Sequence, residues 1–93
     1  MITSPRTNLY QSDAGFSVEV LGQTGLQYSE ARKKMFIDSE VLTGPTGMMV
    51  YRSSIERWAP PHNAEPVTEQ KRQQIVENIK EVFRAQGFNI DVV

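Results

Sequence analysis

The chain has 93 residues, of which 39% are hydrophobic and 23% charged, and its net charge is −1 at pH 7. This composition indicates one globular domain and excludes a disordered chain. The near balance of charge argues against general nucleic-acid binding, which needs a basic excess to neutralise phosphates. The absence of cysteine excludes disulfides, thiolate metal sites and a cysteine nucleophile, and it favours a reducing compartment.

The first fifteen residues are polar and mixed, with a turn signal at Asp13-Ala14-Gly15. They predict a loosely ordered N-terminal arm over residues 1–15, in which Leu9 and Tyr10 are candidates for a short edge strand. Residues 16–93 are predicted to form a single domain. No apolar run is long enough for a signal peptide or a membrane span. We therefore expect a cytoplasmic protein that does not contact a membrane.

Two short strands are predicted next, because apolar and polar residues alternate over residues 16–21 and again over 26–28. The turn between them needs an odd number of residues, and a left-handed Gly25 closing a type I turn satisfies this requirement. The residues predicted to face the core from this pair are Val18, Val20, Leu26 and Tyr28.

A second hairpin is predicted over residues 34–42 and 48–56, entered through a charged turn at Arg32-Lys33-Lys34 and closed at Thr43–Gly47. A symmetric five-residue loop pairs Leu42 with Met48, Glu40 with Val50 and Asp38 with Arg52. The residues that this register places on the core face are Met35, Ile37, Val41, Met49, Tyr51 and Ile55. The apolar residues that it leaves on the opposite face are Phe36, Leu42, Met48 and Val50.

The C-terminal third predicts one long helix, over residues 69–86, and a last strand. Thr68 is a suitable N-cap, apolar residues follow at helical spacing, and Gly87 fits the left-handed position after residue 86. Residues 88–92 then alternate. The predicted fold is α+β with the order β-β-β-β-α-β, an antiparallel meander with the helix packed on one face and a short final strand.

Catalytic chemistry finds little support in the sequence, and no catalytic residue, cofactor or metal site is predicted. His62 is the single histidine and follows two prolines, so a solvated loop residue is the favoured interpretation. The side chains of Asp38 and Glu40 point to the same face of the predicted strand. Two interpretations fit this pair: general acid/base catalysis, or a solvated face in which Asp38 pairs with Arg52. An arrangement of Ser53 or Ser54 with His62 and Asp38 lacks a nucleophile elbow.

Trp58 follows the predicted strand just before Pro60-Pro61, and two roles fit it: a lid on the core or a contact with a partner. Arg52 and Arg57 lie beside it in the sequence, and Arg is enriched at binding hot spots. The candidate partner-binding residues are Trp58, Arg52, Arg57, Asp38 and Glu40.

A family resemblance adds to this interpretation. Residues 25–28, 36–44, 49–51 and 54–55, together with Trp58 and the helix segment 74–79, resemble the immunity protein 74 family of bacterial polymorphic toxin systems. The resemblance covers roughly residues 16–93, and it implies an α+β domain that neutralises a cognate toxin in the cytoplasm by binding it. It implies no defined binding residues. Many toxin inhibitors steer association by strong charge complementarity, so a net charge near zero argues against a nuclease as the target.

Two alternatives stay open beside the toxin inhibitor. One is a small homodimeric interaction domain joined through the apolar residues left on the outer face of the sheet. The other is an enzyme that uses Asp38, Glu40 and His62.

Overall fold

The structure is a computed structural model that describes residues 2–22, 24–41 and 46–93. Within these residues the chain forms seven strands and one α-helix. The elements in chain order are β1 (Ile2–Arg6), β2 (Leu9–Ser12), β3 (Phe16–Val20), β4 (Gly25–Glu30), β5 (Lys33–Val41), β6 (Thr46–Val50), α1 (Glu69–Ala85) and β7 (Asn89–Val92). The strands form one mixed sheet in sequence order: β1 to β6 are antiparallel neighbours, and β7 runs parallel to β6 after the helical crossover. The predicted α+β fold with a C-terminal helix and a final strand is confirmed.

The N-terminal residues differ from the loose arm that the sequence predicted. Residues 2–6 and 9–12 form an antiparallel hairpin, which extends the sheet beyond β3 by two strands. Leu9 and Tyr10 do lie in a strand, but β1 rather than β2 is at the edge. Tyr10 packs inward, with its ring centroid 6.5 Å from that of Phe83 on the helix. This inward contact is one reason why the segment is ordered.

The helix packs on one face of the sheet and closes the core. Thr68 caps its N-terminus by accepting a hydrogen bond from the Lys71 amide at 3.1 Å. Gly87 has φ of 82°, and the Phe88 amide donates to the Phe83 carbonyl at 2.9 Å, so both caps predicted from the sequence are confirmed. The helix residues buried against the sheet are Ile75, Val76, Ile79, Val82 and Phe83.

The pairing of β3 with β4 follows the sequence prediction, whereas its turn does not. Val18 lies opposite Tyr28 and Val20 opposite Leu26, and all of these except the half-buried Val20 are buried. The left-handed glycine in the connection is Gly22, with φ of 115°, and not Gly25. Gly25 instead begins β4, where a Cβ atom would come within 2.5 Å of the Phe36 ring. Its lack of a side chain makes room for that ring.

The register predicted for β5 and β6 is wrong by one residue. Ser39, rather than Glu40, lies opposite Val50, and Val41 lies opposite Met48. Met35 and Ile37 face the core as expected, but Met48 and Val50 join them while Tyr51 turns to the outer face. Leu42 and most of the predicted Thr43–Gly47 loop lie outside the described residues.

The predicted strand 48–56 also ends early, at Val50. Residues 52–54 form a short 3-10 helix, and the chain then follows the free edge of β5. Three hydrogen bonds hold it there: the Tyr51 amide to the Asp38 carbonyl at 3.0 Å, the Asp38 amide to Ser54 Oγ at 2.9 Å, and the Ala59 amide to the Lys34 carbonyl at 2.7 Å. Arg52 therefore does not lie opposite Asp38.

The turn between β4 and β5 is tighter than the charged turn predicted at Arg32-Lys33-Lys34. Lys33 and Lys34 belong to β5, and the turn residues are Ala31 and Arg32, with φ of 48° and 67°. Positive φ at both central positions defines a type I′ turn, which favours asparagine and glycine.

We expect Arg32→Gly to raise the free energy of unfolding by about 0.5–1 kcal/mol, because glycine adopts positive φ without the cost that other residues incur. Arg32→Ala is the matched control, since it removes the charged side chain and keeps the strained backbone. Urea denaturation of both variants measures the difference. Equal stability of the two variants would contradict the expectation.

Candidate functional site

The outer face of the sheet carries a patch that the helix does not cover. Alternation along β5 places Phe36, Asp38 and Glu40 outward, between the buried Met35, Ile37 and Ser39. On the neighbouring strands the pairing places Met49 beside Glu40 and Asp91 beside Met49. We call these residues, with Tyr51, the outer-face patch: Phe36, Asp38, Glu40, Met49, Tyr51 and Asp91.

Phe36 is the large apolar residue of this patch, and it is 54% exposed. Its ring lies over Gly25 on the adjoining strand, diagonal to its own cross-strand partner Gln27. An aromatic ring that covers a strand glycine stabilises the sheet locally. That contact fixes the position of the ring and still leaves more than half of the side chain free to touch another protein.

Tyr51 and Glu40 are joined across the patch. The Tyr51 hydroxyl donates to Glu40 Oε2 at 3.0 Å. This hydrogen bond, with the nearby carboxylate charge, raises the pKa of Tyr51 because a phenolate there would be repelled. Tyr51 is thus a neutral donor whose hydroxyl is hydrogen-bonded to the Glu40 carboxylate. An open concavity of ≈ 480 Å³ lies alongside, lined by Thr24, Asp38, Ser39, Glu40, Tyr51 and Ser53.

The two arginines predicted to bind a partner lie away from this patch. Arg52 in the 3-10 helix forms an ion pair with Glu69 in the first turn of α1. Arg72 pairs with the same carboxylate and donates from Nε to the Ile55 carbonyl at 2.8 Å. Arg57 is exposed and forms an isolated bridge with Pro66. Arg52 thus helps to fix the helix N-terminus, and neither arginine joins Asp38 and Glu40.

Trp58 is in the core, with 2% of its surface exposed. Its ring centroid lies 6.4 Å from that of Tyr28, and Lys33 Nζ lies 5.1 Å from the ring centroid. The Lys33 ammonium also pairs with Glu65 at 2.8 Å, which places it at the edge of the core. This burial agrees with the core-lid alternative.

Two of the residues considered for catalysis, Ser54 and His62, are hydrogen-bonded to the backbone in the described part of the chain. Ser54 Oγ is committed to the backbone, donating to the Tyr51 carbonyl at 2.6 Å and accepting from the Asp38 amide at 2.9 Å. His62 lies in the turn after Pro61, where its amide donates to the Ala59 carbonyl at 3.0 Å. Within the described ranges, no group of three or more His, Cys, Asp or Glu residues is placed to bind a metal ion.

A polar cluster joins the helix to β4 on the other side of the sheet. The Tyr28 hydroxyl donates to Glu30 Oε1 at 2.7 Å and accepts from Asn78 Nδ2 at 2.8 Å, and Lys71 Nζ lies 2.9 Å from Glu30 Oε2. Burial alone would raise the pKa of Glu30. The hydrogen bonds from Tyr28 and Lys71 and the Lys71 charge outweigh it, so the pKa is lowered from 4.5.

This lowered pKa predicts a pH dependence of stability. A carboxyl whose pKa is lower in the folded state stabilises the fold above its unfolded value of 4.5, and the contribution is lost as pH falls through the folded value. We therefore expect Glu30→Gln to have a lower free energy of unfolding than the wild type at neutral pH. This difference in free energy, the stability gap, should narrow below about pH 4.5. Glu81→Gln, on the exposed side of the helix, is the control. A gap that stays constant with pH would contradict the assignment.

Within the described residues, no helix combines the length and apolar character needed to cross a membrane. No curated protein and no solved structure matches the chain. The family model of immunity protein 74 matches residues 17–93 of the 93-residue chain. This range includes every residue of the outer-face patch. The chain therefore belongs to the immunity protein 74 family.

Proposed function

We propose that this chain neutralises a cognate bacterial toxin by binding it in the cytoplasm, without catalysing a reaction, and that the outer-face patch is the contact surface. Family membership supports the class of function. The single observation that carries the choice of surface is the half-exposed Phe36 on the sheet face opposite the helix. Aromatic residues, phenylalanine included, are enriched in protein interfaces relative to the rest of the surface.

Two of the five residues predicted from the sequence, Asp38 and Glu40, belong to this surface. Met49 lies opposite Glu40 on the adjoining strand and adds an apolar side chain. Tyr51 adds a hydroxyl group, which donates a hydrogen bond to Glu40. An exposed aromatic residue beside polar and charged groups is a combination found in protein interfaces.

The homodimer considered as an alternative depended on four apolar residues of the outer face. Met48 and Val50 are 5% and 1% exposed and belong to the core. Leu42 lies outside the described residues, so Phe36 is the one member of that set whose exposure supports any interface. A large apolar self-contact therefore has less support than a mixed surface that binds another protein.

Stoichiometry tests the proposal. The probe is the toxin from the same genome whose growth arrest this chain relieves, and increasing amounts of the chain are added to the purified toxin. Inhibition by binding is expected to be complete at about one chain per toxin, and to reverse when the two are separated. An enzyme that modifies the toxin would instead inactivate many toxin molecules per chain, and the inactivation would persist after separation. Either behaviour would contradict a binding inhibitor.

A further inference from the structure

Three carboxylates of the outer-face patch are left without an ion pair. Within the part of the chain that the structure describes, the ion pairs use other acidic residues, and Asp38, Glu40 and Asp91 form none. Glu40 and Asp91 flank Met49 on adjoining strands, so their backbones are about 10 Å apart, and Asp38 is about 7 Å along the strand from Glu40. These three carboxylates lie on the same sheet face as the exposed Phe36 and the half-buried Met49, although the whole chain is almost neutral. Lys34, two residues before Phe36 on β5, is an exposed basic residue on this face, so the acidic part of the patch is the end that carries Asp38, Glu40 and Asp91.

Several occupants fit this surface poorly. The carboxylates do not group as metal ligands among the described residues. A second copy of the chain would bring the same acidic face against itself, and like charges across an interface cost binding energy. Nucleic acid would be repelled for the same reason. A protein that presents lysine or arginine side chains is complementary to the patch.

We infer that the toxin binds the outer-face patch through a basic surface, with at least one lysine or arginine side chain entering the concavity between Asp38, Glu40 and Tyr51. This inference rests on the proposed function. The concavity of ≈ 480 Å³ is open to solvent and has two carboxylates and a phenol among its lining groups. Tyr51 donates a hydrogen bond to the Glu40 carboxylate. Phe36 lies on the same strand, two residues before Asp38, and supplies the apolar contact beside the charged one.

The charge of the patch is tested with two variants of equal net charge. Asp38→Asn/Glu40→Gln removes two negative charges from the patch and leaves an amide oxygen at position 40 that can still accept from Tyr51. Glu77→Gln/Glu81→Gln removes two from the exposed side of the helix. We measure the association rate and Kd for the growth-arresting toxin, in about 50 mM and about 500 mM salt, because screening separates charge effects from other contacts. The patch variant is expected to associate about tenfold or more slowly at low salt, and to show a flatter salt dependence than the wild type.

The outcomes separate the inference from the proposed function. If the wild type inhibits by binding and the patch variant associates as the helix variant does, the basic-partner inference is wrong while the proposed function stands. If the wild-type chain inhibits without forming a complex, the proposed function itself is wrong. Equal slowing in both variants would mean that only the net charge matters, and it would also overturn the inference. Circular dichroism of both variants checks that each is folded.

Discussion

Trp58→Ala is expected to lower the free energy of unfolding by about 3–5 kcal/mol, the usual cost of removing a buried tryptophan. The ring is 2% exposed and packs against Tyr28, and Lys33 lies over its face. Small domains have about 5–15 kcal/mol of stability in total. The variant should therefore lose a large share of its stability, and a fraction of its molecules should be unfolded at moderate temperature.

Chemical denaturation measures this loss, and Trp58→Phe is the matched control. Phenylalanine keeps an aromatic ring in the same space, so its cost should be clearly smaller than that of alanine. Affinity for the toxin, expressed per folded molecule, should be unchanged in both variants because the ring lies in the core. A small loss of stability combined with a large loss of affinity would instead make Trp58 a contact residue.

Phe36→Ala is expected to weaken binding of the toxin by about 2 kcal/mol or more, the range of an interface hot spot. That corresponds to roughly a thirtyfold increase in Kd. The change in stability should be much smaller than for Trp58, because 54% of the Phe36 side chain already contacts solvent. Loss of the ring from above Gly25 is expected to account for what stability is lost. Calorimetric titration gives the affinity and denaturation gives the stability.

The chain contains a close control for this experiment. Phe88 is also 54% exposed, and its ring likewise approaches a glycine, Gly47, which precedes Met48 in β6. Phe88→Ala therefore removes an equally exposed aromatic ring from a residue that does not belong to the outer-face patch. If both alanine variants weaken toxin binding equally, exposed aromatic area in general is responsible, and the patch has no special role.

The parts of the fold that the sequence predicted correctly are those in which local chemistry admits one answer. Thr68 and Gly87 lie on either side of a stripe of apolar residues at helical spacing, so the predicted helix 69–86 differs from α1 by one residue, at its C-terminus. Strict alternation from Phe16 to Val20 and again around Met35 and Ile37 fixed which side chains face the core. In each case the neighbouring residues contradict any other assignment.

The register of β6 was not predictable by the same argument. Met48, Met49, Val50 and Tyr51 form a continuous apolar run, so alternation does not show which pair faces the core. The choice depends on β7, whose residues Ile90 and Val92 lie beside Met48 and Val50 on the inner face. That pairing is parallel and follows a helical crossover, so it leaves no local signal in the sequence. The N-terminal hairpin was missed for a similar reason, because β1 is almost wholly exposed.

The proposed contact surface overlaps with the residues named from the sequence in two positions. Asp38 and Glu40 were named because two acidic residues at i and i+2 share a strand face, and that shared face is the part of the prediction that the structure confirms. Asp91 was missed because its position beside Met49 depends on the parallel pairing of β7. Arg52 was predicted to lie opposite Asp38 on the assumption that the strand continues to residue 56. The chain instead turns at residues 52–54, and Arg52 forms an ion pair with Glu69 at the N-terminus of the helix.

The most direct test of the proposed contact surface is to map where the toxin binds. Backbone amide signals of isotope-labelled chain are followed by NMR as unlabelled, growth-arresting toxin is added. The largest changes are expected at residues 36–40, 49–51 and 91, while amides on the exposed side of α1, around Glu77 and Glu81, should stay nearly unchanged. Changes concentrated on the helix, with the outer face of β5 and β6 unaffected, would contradict the account.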